Sequence, residues 1–148
     1  MGTINYGTSQ FITIGAPDYN GDAEAYDLLE DWVREKLNQY NFEYYDLDIE
    51  YGYYEGFYIN IQKNDSFYFL DVSDAKETAP IIRNEIDGVC AALRELCELG
   101  CCVVHPGWAT AYLNLEDSIK EIEFAKYVMA ADLLEEVEYV VRCNQRKA

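Results

Sequence analysis

Tyr44-Tyr45-Asp46-Leu47-Asp48-Ile49-Glu50-Tyr51, followed closely by Phe57-Tyr58-Ile59-Asn60-Ile61-Gln62, decides how this chain reads. In the first run Tyr45, Leu47, Ile49 and Tyr51 alternate with Tyr44, Asp46, Asp48 and Glu50. In the second, Phe57, Ile59 and Ile61 alternate with Tyr58, Asn60 and Gln62. A period of two marks a strand with one face buried and the other wet. Glu55-Gly56 offers a hairpin turn between them. Pairing would set Tyr44, Asp46, Asp48 and Glu50 on an outward face beside Tyr58, Asn60 and Gln62.

Upstream, Asn5 to Ile14 reads as a first strand or hairpin arm, and the stretch from Gly15 to Gly21 as a turn-rich loop. Asp22 can cap a helix over residues 23–40. Tyr26, Leu29, Trp32, Val33, Leu37 and Tyr40 recur there at helical spacing as an apolar stripe. Asp27, Glu30, Asp31 and Glu35 take its flanks and opposite face. Downstream, Asn64-Asp65 suggests a second turn, and Phe67 to Val72 a third strand of a meander. Asp74 with Glu77 resembles a capping box, but Pro80 suits a first helical position better. From Pro80, Ile82, Ile86, Val89, Cys90, Leu93, Leu96 and Cys97 form a buried stripe that Gly100 can terminate. Cys101 to His105 reads as a short buried strand, and residues 108–113 as a strand or loop. Asn114 can cap a last helix reaching Val141, with a break possible near Ala130-Ala131. The expected fold is α+β: a mainly antiparallel sheet of four to six strands with three helices on one face, in the order β-α-β-β-β-α-β-α. The 148 residues suit a single domain, 1–148.

Charge is the unusual feature. There are 28 acidic residues against 11 basic ones, a net charge of −17. Residues 1–62 carry twelve acids against Arg34 and Lys36, a local charge of −10. Such a chain repels phosphates, so direct nucleic-acid binding is not expected. It attracts basic surfaces and speeds encounter with them. No apolar run approaches the length of a membrane span, and no basic-then-apolar leader follows Met1. The five cysteines are odd in number and include an adjacent pair, which fits reduced thiols. The expectation is a cytoplasmic protein.

Motifs for chemistry are sparse. Cys97, Cys101, Cys102 and His105 could supply three thiolates and an imidazole to tetrahedral zinc. They lack a Cys-x-x-Cys knuckle, and Cys97 also belongs to the buried helical stripe. Cys101 would share a strand face with His105 but lie too far along it for contact, and Cys102 would face away. Asp65, Asp74 and Lys76 offer only a loose nuclease-like pattern. There is no glycine-rich phosphate loop, no Walker lysine and no nucleophile elbow. The reading is therefore a non-enzyme with no cofactor. Its partner-binding residues are Asp27, Glu30, Asp31, Glu35, Tyr44, Asp46, Asp48, Glu50 and Tyr58. Rows of carboxylates there can imitate nucleic-acid phosphates and enter a basic groove, with tyrosine rings as apolar anchors. A tyrosine-rich surface also suits a homodimer or structural module.

The strings Thr3-Ile4-Asn5-Tyr6-Gly7-Thr8-Ser9, Phe11-Ile12-Thr13-Ile14-Gly15, Tyr53-Tyr54-Glu55-Gly56-Phe57-Tyr58-Ile59 and Pro106-Gly107-Trp108 carry a resemblance. They look like those of a group of small acidic proteins of bacteriophages and mobile elements in Gram-positive gut bacteria. The resemblance spans most of the first 110 residues. It transfers no catalytic residue. It implies an inhibitor of host defence of the anti-CRISPR or antirestriction kind, acting in the host cytoplasm. The partner would be a basic nucleic-acid-handling protein, a CRISPR effector or a restriction enzyme.

Overall fold

The alternation at residues 45–63 becomes a strand pair without slippage. In the computed structural model Leu47 stands opposite Ile61, Ile49 opposite Ile59 and Tyr51 opposite Phe57. The structure describes residues 10–16, 22–52, 56–69, 71–105 and 111–147. The strands are β1 (Gln10–Gly15), β2 (Tyr45–Gly52), β3 (Gly56–Lys63), β4 (Cys102–His105) and β5 (Ala111–Tyr112). The helices are α1 (Ala23–Gln39), α2 (Val72–Leu99) and α3 (Leu115–Lys147), with a 3-10 turn over Asp65–Phe69. The fold is α+β. The sheet runs β2-β3-β1-β4-β5, and its described neighbours all pair antiparallel. No described helix is long and apolar enough to cross a membrane.

One face of the sheet carries the core. Tyr45, Phe57, Ile59, Ile61, Ile14 and Val103 are buried on it, against Leu29 and Val33 of α1, Ile82, Ile86, Val89, Leu93 and Leu96 of α2, and Ile122, Met129 and Leu133 of α3. In β1 the register shifts between Gln10 and Thr13, which pair with Gln62 and Asn60. This bulge sets two consecutive residues, Phe11 and Ile12, against one on β3, and both pack on the core.

Local signals place the helix ends. The Asp22 carboxylate accepts from the Ala25 N–H at 3.1 Å, so α1 begins where the sequence predicts. Gly100 holds φ 127°, a conformation costly for a side chain. The Gly100 N–H bonds the Cys97 carbonyl and the Cys101 N–H the Leu96 carbonyl, closing α2 in a Schellman motif. The Asn114 side chain caps α3 through the Asp117 N–H at 2.7 Å.

Four expectations give way. None of the described residues from 67 to 72 lies in a strand. The Asn64 side chain accepts from the Ser66 N–H at 2.9 Å and winds a 3-10 turn that drives Phe67 into the core beside Tyr45. Helix α2 starts at Val72, not Pro80, because Asp71 caps it through the Asp74 N–H at 2.9 Å. Pro80 sits inside the helix on an exposed position. Trp32 does not join the buried stripe of α1; it stays 44% exposed. Helix α3 runs unbroken through Ala130-Ala131. The proposed turns at 15–21 and at Glu55, the strand residues 5–9 and the segment 106–110 lie largely outside the described residues.

Candidate functional site

The wet face of β2 carries the candidate site. Asp46, Asp48 and Glu50 are all exposed, opposite Gln62, Asn60 and Tyr58. Alternate residues on a strand stand about 6.6 Å apart. The three carboxylates therefore form a straight row on an outermost strand, which pairs only with β3 among the described elements. Charges on an edge strand also block edge-to-edge aggregation.

The row is braced from beneath. The Asn60 amide donates to Glu50 Oε2 at 2.7 Å, and its carbonyl oxygen accepts from the Thr13 hydroxyl at 3.0 Å. Asn60 is only 8% exposed, so Glu50 is held by a buried amide rather than swinging in water. The half-buried Tyr58 ring lies over Gly15 of the next strand. A Cβ at Gly15 would stand 2.9 Å from that ring and 3.0 Å from Val104. Glycine there lets the ring lie flat across the sheet.

Tyr44 does not share this outward face, contrary to the alternation. It precedes β2 and turns to the helical side, its ring edge-on to Phe67 at 5.9 Å. Its N–H donates to Glu85 of α2 at 2.7 Å, beside the Glu43 N–H at 2.6 Å. Glu85 captures two backbone donors and pulls the chain off the outward face before the strand begins.

The helical acids form a second row on the other side of the sheet. Asp27, Glu30, Asp31 and Arg34 share one face of α1 by their i, i+3, i+4, i+7 spacing. Arg34 pairs with Glu30 at 3.6 Å, donates to the Tyr51 hydroxyl and lies over the Tyr51 ring at 5.7 Å. This turns the acidic side of α1 toward the end of β2. The α1 and β2 rows thus flank one sheet edge from opposite faces and do not merge into one plane. Glu35 leaves the group: with Trp32, Lys36, Gln39 and Leu99 it lines a shallow open depression of about 250 Å³.

Most of the ion pairs among the described residues lie away from β2. Among the described residues, Arg34, Lys36, Lys63, Arg94, Lys120 and Lys126 pair with carboxylates on the helices. Among the described residues no lysine or arginine pairs with Asp27, Asp31, Asp46, Asp48 or Glu50. The negative row on β2 is therefore not neutralised from within.

A buried ionic cluster escaped sequence reasoning. Lys63 Nζ lies 3.0 Å from Asp132 and 2.9 Å from Glu136, with the lysine side chain 8% exposed. Burial pushes the Lys63 pKa down, but the two carboxylates outweigh it and leave it raised. Burial raises Asp132, against the pull of Lys63. One signal was present: Lys63 continues the inward parity of Phe57, Ile59 and Ile61.

Cys101 is buried with Val103 on the core face, whereas Cys102 pairs with Gly15 toward the outer face. Among the described residues no three histidine, cysteine or acidic side chains converge on a metal position. Burial pushes the Cys97 and Cys101 thiols up to about 12, which keeps them protonated. The His105 side chain lies outside the described residues.

No known family matches the chain, and neither a curated protein nor a solved structure shows significant similarity to it.

Proposed function

We propose that the protein is an acidic inhibitor that docks the edge of its sheet into the basic groove of a nucleic-acid-handling protein. The observation that carries this is the exposed, unneutralised row Asp46, Asp48 and Glu50 on an outermost strand. Arginine and lysine that normally hold phosphates would pair with these carboxylates, arginine in bidentate fashion. Asp27 and Asp31 of α1 extend the negative edge around the strand. Tyr58 supplies apolar area beside the row. Attraction of this kind raises the association rate and fades as salt screens it. The phage-like sequence strings favour a host-defence target, a CRISPR effector or a restriction enzyme.

The test is release of labelled duplex DNA from a guide-loaded CRISPR effector and from a restriction enzyme, followed by fluorescence anisotropy. The protein should release DNA from at least one of them, and less at high salt. The triple variant Asp46→Lys, Asp48→Lys, Glu50→Lys should release none while keeping its circular dichroism spectrum. Release by the triple variant equal to that by the parent, or no release by the parent from either target, overturns the proposal.

A further inference from the structure

Helix α3 presents a second seam, opposite the one it buries. Toward the core it sends Ser118, Ile122, Ala125, Met129 and Leu133. On the far side stand Lys120, Phe124, Tyr127, Ala131, Leu134 and Glu138, all exposed. Phe124 is 63%, Tyr127 72% and Leu134 60% exposed. The spacing is 4-3-4-3-4, so the six residues fall on the a and d positions of successive heptads. Large apolar side chains at such positions on a solvent face are what a partner helix covers.

The identity of that partner is written in the order of the residues. When a second copy of the helix is laid antiparallel about residue 129, Phe124 meets the partner's Leu134 and Tyr127 meets the partner's Ala131. Lys120 meets the partner's Glu138 at both ends. Every layer then pairs large with small, apolar with apolar or positive with negative. A parallel copy would instead set lysine on lysine and glutamate on glutamate. It would also put the two alanines opposite one another and leave a gap between the helices. A two-fold interface requires this kind of self-complementarity. We infer that the outward face of α3 is a homodimer interface in which two copies pair antiparallel through Lys120, Phe124, Tyr127, Ala131, Leu134 and Glu138.

The seam is short, and it must hold together two chains that each carry −17. The exposed carboxylates Glu121 and Glu135 flank it and repel their counterparts. Salt screens that repulsion, so the dimer tightens as salt rises. Binding to a basic groove weakens under the same change, which separates this inference from the functional proposal.

Sedimentation velocity at tens of micromolar protein, at low and at moderate salt, tests it. Dimer should form and its fraction should grow with salt. Ala131→Glu places a charge in the middle of the seam and should weaken association by roughly tenfold or more. Its position is exposed in the monomer, so circular dichroism should be unchanged. Lys120→Glu and Glu138→Lys should each weaken the dimer, and the double variant should restore it. A monomer at both salt concentrations, a dimer indifferent to Ala131→Glu, or a double variant no better than the singles overturns the inference.

Discussion

Single residues set the alkaline limit of this fold. Cys90, Cys97 and Cys101 are each 5% exposed or less, and burial raises their thiols to about 11, about 12 and about 12. An unfolded thiol ionises near 9.0, the reference value for each. Between pH 9 and 12 the unfolded chain therefore releases protons that the folded chain retains. The contribution of these groups is intact below pH 9 and is lost as pH climbs through the folded values. Each thiol can steepen the decline by up to about 1.4 kcal/mol per pH unit. Lys63 acts in the same sense above 10.5, because its folded pKa is also raised. Urea midpoints should accordingly hold steady from pH 7 to 8.5 and fall steeply by pH 10.5. Cys97→Ala and Cys101→Ala should lower the plateau yet flatten the fall. An unchanged slope in both variants would show that the buried thiols are not its cause.

Elements show where sequence patterns suffice and where tertiary contacts override them. Helix α2 carries Pro80 nine residues into its length, where proline withholds the N–H that the Lys76 carbonyl would accept. Pro80 is exposed, so replacement neither opens a cavity nor meets a neighbour. Pro80→Ala should restore the missing bond and stabilise the protein by about 1 kcal/mol or more, partly offset by a freer unfolded chain. Thermal melts would read this directly, and a lower Tm would show that the ring is needed for packing. The same proline misleads a sequence reading, because it suits a helix start; Asp71 recruits the preceding turns. The β2–β3 register, by contrast, is legible residue for residue, since a slip of one would bury Asp48 and expose Ile49. Residues 67–72 look equally strand-like by composition. Their fate depends on one Asn64 side chain and on space beside Tyr45, which no periodicity encodes.

At the scale of the whole molecule, the charge was legible but its arrangement was only half so. Alternation alone put Asp46, Asp48 and Glu50 on one face. It could not say that Glu85 would draw Tyr44 to the other, nor on which side of the sheet α1 would set Asp27 and Asp31. The ion pairs of Lys63 with Asp132 and Glu136 join residues about seventy apart, beyond any local pattern. What remains is a fold holding −17 with its cations spent mostly on the helices, and such an excess strains the compact state. Raising salt from about 20 mM to about 300 mM shortens the screening length from roughly 20 Å to under 8 Å. Like charges within such a distance repel less as it shortens, those of the β2 row included. Tm should therefore rise with sodium chloride. Dimerisation through α3 would add a rise of its own, but one that depends on protein concentration. Measuring Ala131→Glu at low protein concentration, where its weakened dimer dissociates, isolates the electrostatic part. The rise should persist in that variant and shrink when Asp46 and Asp48 are changed to Asn. A Tm independent of salt in all three proteins would mean that the carboxylates are too far apart, or too well solvated, to strain the fold.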